Sequence, residues 1–240
     1  MTNTNNSNVN WKQAASEAFL LLIGVLLALG GQAWLEDRVE GRTVSEYGDN
    51  LLLEIRQTQN GVQRTIKKHD EFIASGAAVL HGLQESHSAE SLMLMGKHVS
   101  RLGFYSEFRP ATSALNNLFG AGGLGLIESK ELQLAISRYA QSIEDHNVLQ
   151  AELVKFNLLS FVPFLSDRIP LLEINFIAGS DAPDLPSESK FELDLTSLTE
   201  SLEFENLVVR RVSAELDAKI FAQRLLDSID ELAPLLESND

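Results

Sequence analysis

An uncharged apolar run lies near the start of the chain. From Ala18 to Gly31 it reads AFLLLIGVLLALGG, and the apolar character continues past Gln32 to Trp34. On an insertion scale its large apolar residues together contribute about −3 to −5 kcal/mol towards spanning a bilayer. Trp11 and Trp34 bracket the run, roughly 34 Å apart at helical rise, which sets both rings near the edges of a hydrocarbon core about 30 Å thick. The pattern predicts one transmembrane helix over 11–34, with Ala18, Leu20, Gly24, Ala28, Gly31 and Trp34 inside it. A cleaved signal peptide is the first competing reading, since Gly31-Gln32-Ala33 loosely resembles a small-x-small cleavage site. Its leading region should be basic, however, and this flank carries Glu17 beside Lys12. A helix buried in a soluble core is the second, and the run has almost no polar face to suit it. Gly24, Ala28 and Gly31 stand at i, i+4 and i+7, a small-residue stripe that lets two helix backbones approach, so self-association through the span is expected.

Beyond Trp34 the pattern turns amphipathic. Leu35, Val39, Tyr47, Leu51, Ile55, Val62, Ile66, Ile73 and Leu80 follow steps of three, four and their sums, which predicts a long helix leaving the membrane without a break. Glycines 41, 48, 61 and 76 each weaken it by about 1 kcal/mol relative to alanine, so kinks are expected. Ser88 opens a second helix running to about Gly103. Pro110 is placed to start a short helix that ends in the glycines from Gly120. Ser129 is a fitting N-cap for the next, with Leu132, Ile136, Tyr139, Ile143, Leu153 and Phe156 inward, until Pro163 and Pro170 kink or end it. Residues 168–190 read as loop, with Leu171 to Ile177 a short extended piece. Ser197 and Glu200 match a capping box. From there Phe204, Leu207, Val208, Val212, Leu216, Ile220, Leu225, Ile229 and Leu232 predict a long final helix. The expected fold class is all-α: one N-terminal transmembrane helix, then a multi-helix bundle over 35–240 with long first and last helices. The opening tail 1–10, MTNTNNSNVN, is polar and expected to be disordered.

Composition narrows the function classes. The 240 residues carry 34 Asp+Glu against 19 Lys+Arg, a net charge of −15, which argues against a nucleic-acid partner. Residues 181–240 hold 15 acidic and 5 basic residues; that excess reads as a solvated face, or else as a surface for a basic partner. The absence of cysteine removes disulfides, thiolate metal sites and thiol nucleophiles together. Lys12 precedes the span while Arg38 and Arg42 follow it, a count that leans weakly towards a cytoplasmic bundle.

Motifs for chemistry are sparse. Gly120, Gly122 and Gly125 match G-x-G-x-x-G formally, but a helix precedes them where a dinucleotide site needs a strand. Ser187 and Lys190 match S-x-x-K in a proline-bounded loop without companion motifs. His69, His81, His87, His98 and His146 lack the Glu-x-x-His and H-E-x-x-H spacings of metal bundles, and each reads as a surface or boundary residue. Asp181 and Asp184 are interrupted by Pro183, unlike a calcium loop. No catalytic residue, cofactor or metal is expected.

Two segments carry a resemblance. EAFLLLIGVLLALGGQAWLEDR, from Glu17 to Arg38, resembles the opening of a family of uncharacterised bacterial single-pass membrane proteins. ATSALNNLFGAGGLGLIESKELQLAISRYAQSIE, from Ala111 to Glu144, is similar to that family's middle element of short helix, glycine turn, L-I-x-[SN]-x-E-L segment and Tyr-containing helix. The resemblance implies a domain of unknown function on an inner-membrane anchor, with no activity to carry over. Relatives with a strongly basic N-terminus imply a periplasmic bundle; this chain has only Lys12 there. The function expected is a membrane-anchored, non-enzymatic helical bundle in a scaffold, sensor or accessory role. Its partners are the bilayer and a second copy; any other protein partner is unidentified. The alternative is a tethered enzyme or small-ligand binder using the Gly120–Gly125 turn.

Overall fold

The computed structural model describes residues 11–84, 88–120, 122–174, 186 and 189–238, with side chains from residue 46 onward. The described residues are helical or irregular, with no strand among them. Helix α1 spans Trp11–Gly82, α2 Ala89–Gly103, α3 Ser113–Gly120, α4 Lys130–Phe156, α5 Val162–Ser166, α6 Thr196–Thr199 and α7 Leu202–Glu237. A 3-10 turn, Gly123–Leu126, links α3 to α4, and a π-helical turn, Asn157–Phe161, links α4 to α5. The backbone of the proposed span falls within α1. The side chains of Ala18, Leu20, Gly24, Ala28, Gly31 and Trp34 lie outside the described residues, as do the tail 1–10 and His87. Among the described residues, the continuous helix Lys130–Ser166 is long and apolar enough to cross a membrane by length and composition, but it carries much of the bundle core.

Core positions on three helices follow alternating steps of four and three, the heptad spacing of coiled coils. On α1 these are Leu51, Ile55, Thr58, Val62, Thr65, His69, Phe72, Gly76 and Val79; on α4 they run from Leu132 through Ile136, Tyr139, Ile143, His146, Gln150 and Leu153 to Asn157. On α7 they are Phe204, Val208, Arg211, Glu215, Ala218, Ala222, Leu225, Ile229, Leu232 and Leu236. Arg56 bonds Glu237 (2.8 Å), Gln59 bonds Asp230 (2.9 Å) and Lys219 bonds Asp70 (2.6 Å), so α1 and α7 run antiparallel. Arg138 pairs with Glu231, and the Ser142 and Ser228 hydroxyls meet at 2.7 Å, so α4 is antiparallel to α7 as well. The apolar interior divides in two. One cluster holds Leu51, Ile55, Ile136, Tyr139, Leu225 and Ile229; the other holds Val79, Val99, Leu102, Phe161, Phe164 and Phe204.

Several sequence expectations hold and several shift. Ser88 and Ser129 cap α2 and α4, accepting from Ser91 N (3.1 Å) and Leu132 N (3.2 Å). The capping box read at Ser197 and Glu200 is displaced: those residues belong to or follow α6, and Ser201 caps α7 through Phe204 N. Pro110 is buried in an extended connector, and α3 begins three residues later, where the Glu54 carboxylate of α1 accepts from Ala114 N (2.8 Å) and Leu115 N (3.4 Å). An acceptor supplied from another helix replaces the local start signal. Leu171–Ile174 forms turns rather than an extended piece. Leu216 and Ile220 are 45% and 48% exposed, because the heptad carries Glu215 and Ala218 inward instead. Pro163 does not end the helix: Val162 N bonds Asn157 O five residues back, widening the turn where the ring would press on a carbonyl.

α1 continues through Gly48, Gly61 and Gly76. At Gly61 a Cβ would fall 2.1 Å from the Phe108 ring, and at Gly76 2.2 Å from Val212 Cγ2. These two glycines are sites of close approach within a continuous helix.

Candidate functional site

A layer of polar side chains separates the two apolar clusters. α1 contributes His69, α4 contributes His146 and Gln150, the π-helical turn contributes Asn157, and α7 contributes Arg211 and Glu215, every one of them buried. Arg211 Nη2 lies 2.7 Å from Glu215 Oε1, an i,i+4 ion pair. Glu215 Oε2 takes a very short hydrogen bond from His69 Nδ1. Gln150 Nε2 lies 3.1 Å from His69 Nε2.

The last residue of α2 and the irregular connector from α2 to α3 close the layer with their carbonyls. Gly103 O accepts from Asn157 Nδ2 (2.7 Å), Phe104 O from Arg211 Nη2 (2.8 Å), and Phe108 O from His146 Nε2 (3.2 Å). Phe108 also seats its ring on Gly61 and lies 6.3 Å from the His146 ring, while Arg211 sits 5.3 Å over Phe72. Segments distant in sequence are thus tied by donors that have no water to turn to. Burial pushes the Arg211 guanidinium down from its ordinary value and Glu215 pushes it back. A second buried polar patch joins Tyr139, Thr58 and Glu54; burial, with the Glu54 charge adding to it, raises the Tyr139 phenol to about 12.

His146 gives the layer a pH dependence. Burial lowers its pKa, the Phe108 carbonyl opposes this, and neighbouring His69 adds to the lowering. Its Nδ1 has no hydrogen-bond partner among the described residues. An unfolded chain takes up the proton near pH 6.5 and the folded chain only at lower pH. The contribution of His146 to stability is therefore complete above about pH 6.5 and declines as pH falls towards the folded value. Over that window stability is expected to fall by up to about 1.4 kcal/mol per pH unit, and His146→Gln should flatten this part of the curve. Denaturant melts at pH 7.5, 6.5 and 5.5 measure it; parallel curves for the two proteins contradict it.

The remaining sequence candidates are not drawn into this layer. Gly120, Gly122 and Gly125 close α3 and open the 3-10 turn; Gly122 has φ 69°, and a Cβ on any of the three would meet nothing within 4 Å. Ser187, Asp181 and Asp184 lie outside the described residues, and Lys190 rests 5.0 Å over the Phe191 ring. Among the described residues no three His, Asp or Glu side chains are grouped to hold a metal. His81 is exposed and His98 half-buried, as read, but His69 and His146 are fully buried, against the expectation for all five histidines. The missed signal was positional: both occupy core steps of their heptads. Surface grooves lie elsewhere. One of about 480 Å³ is bounded by Leu92, Met93, Gly96, Ile174 and Leu193, another of about 620 Å³ by Tyr47, Glu54, Ala111 and Asn117.

Compared with protein families, with curated proteins and with solved structures, the chain matches none.

Proposed function

We propose that this chain is a single-pass protein of a bacterial inner membrane, anchored by residues 11–34, whose helical bundle acts without enzymatic chemistry as a scaffold, sensor or accessory subunit. The resemblance carried by Glu17–Arg38 and Ala111–Glu144 supports this reading and favours a periplasmic bundle. The observation that carries it is the continuity of α1. One helix of 72 residues contains the apolar run and goes on to supply Leu51 through Val79 to the core. Such a helix, about 110 Å long at 1.5 Å per residue, links events at the bilayer to the polar layer without a joint. The buried layer supports a structural part: its Arg211, Glu215 and His69 engage one another and the connector, and the two grooves are walled by other residues.

Alkaline carbonate extraction of membranes expressing the full chain tests the anchor. The intact polypeptide is expected in the pellet, and its release into the supernatant overturns the reading. A reporter fused after Asp240 is expected to report the periplasm; cytoplasmic activity would reverse the orientation and leave the anchor standing.

A further inference from the structure

The first half of α7 presents a second heptad on its outer face, directly opposite the core. Leu202, Val209 and Leu216 fall on one set of seam positions, and Asn206, Ser213 and Ile220 on the alternating set. The four apolar members are 71%, 47%, 45% and 48% exposed for Leu202, Val209, Leu216 and Ile220. Past Ile220 the same meridian turns polar with Gln223 and Asp227, so the apolar seam is a bounded patch about 27 Å long at helical rise. A stripe this regular opposite a fully formed core is the signature of a helix with a second helical partner.

We propose that this seam pairs with the α7 seam of a second copy, the two helices running parallel. The flanking charges select the occupant and its direction. In a parallel pair Glu205 faces Arg210 of the second copy, and symmetry gives that attraction twice. Arg210 is held beside the seam by the Phe156 ring, 4.9 Å away. The like-signed pair in that arrangement, Lys219 with Arg224, is doubled in the same way but blunted because Lys219 already bonds Asp70. An antiparallel pair would instead set Glu203 against Asp217 twice and Arg210 against itself, its one attraction being Glu205 with a Lys219 already bonded to Asp70. Asn206 at an interior seam position adds register, since two such amides pair only with each other. The proposal takes from the membrane-anchored reading just one thing, that both copies leave the bilayer in the same direction.

The chain has no cysteine, so single-cysteine variants give an unambiguous readout. In native membranes expressing the full chain, mild oxidation of Asn206→Cys is expected to crosslink most of it into a species of twice the mass. Gln63→Cys, on the exposed side of α1, is expected to give severalfold less. An antiparallel pair would offset the two residues at 206 by ten positions, about 15 Å, beyond disulfide reach. Adding Val209→Glu should lower the crosslink yield about fivefold or more, while the melting temperature of Val209→Glu alone stays within a few degrees of the parent, because Val209 is solvent-facing. Absence of the crosslink, a yield insensitive to Val209→Glu, or an adduct with a protein of different mass overturns the proposal. Carbonate extraction of the same membranes separates the two ideas: crosslinking of a released chain refutes the anchor and keeps the seam, whereas an anchored chain without crosslinking does the reverse.

Discussion

Glu215→Ala is expected to cost about 3–5 kcal/mol, the cost of stranding a buried charge. Arg211 is fully enclosed, and without Glu215 it keeps only the Phe104 carbonyl and the Phe72 ring face. His69 loses the acceptor for its Nδ1 proton at the same time. For a chain of this size the melting temperature should drop by on the order of 10 °C. Removing both charges should be far milder. Arg211→Met with Glu215→Gln retains an amide oxygen for His69 and leaves no ion behind, so a loss under about 2 kcal/mol is expected. Thermal melts of the full-length variants in detergent decide the matter. A single-variant loss below about 1 kcal/mol, or a double variant worse than the single, would show that the ion pair is not what holds this level of the core.

Gly61→Ala is the second large effect, and its sign opposes helix propensity. In an open helical position the change would stabilise by about 1 kcal/mol. Here the new methyl lies 2.1 Å from two Phe108 ring atoms, so the ring must leave its seat. Overpacking of this kind typically costs about 1–3 kcal/mol. Moving Phe108 also disturbs the carbonyl that accepts from His146, so the damage reaches the polar layer. Shortening the ring in Gly61→Ala/Phe108→Leu should recover at least about 1 kcal/mol of coupling in a double-mutant cycle. Gly48→Ala is the contrast, since a Cβ there meets nothing within 4 Å. It should raise stability by up to about 1 kcal/mol. Equal effects at 48 and 61 would refute the packing argument.

The helical class, the caps at Ser88 and Ser129 and the long first and last helices were legible because period and capping are local properties. α6 and the shift from Ser197 to Ser201 were not, since two candidate caps four residues apart compete and tertiary packing chooses between them. α3 starts at Ser113 rather than Pro110 because its acceptor, Glu54, comes from a helix sixty residues earlier. The polar layer stayed hidden for a different reason. Counting apolar residues along α7 passes over Arg211 and Glu215 and lands on Leu216 and Ile220, whereas following the steps of four and three leads straight through the charged pair. The same shortcut demoted His69 and His146 to the surface. Reading core positions by spacing before chemical type would have found all four, though not the connector carbonyls that satisfy them.

The placement of the polar layer governs which movements α1 can make. Were α1 to slide by one helical turn against α7, about 5.4 Å, His69 would leave Glu215 and its buried Nδ1 proton would lose its acceptor. Sliding of α1 along α7 is therefore opposed at this level.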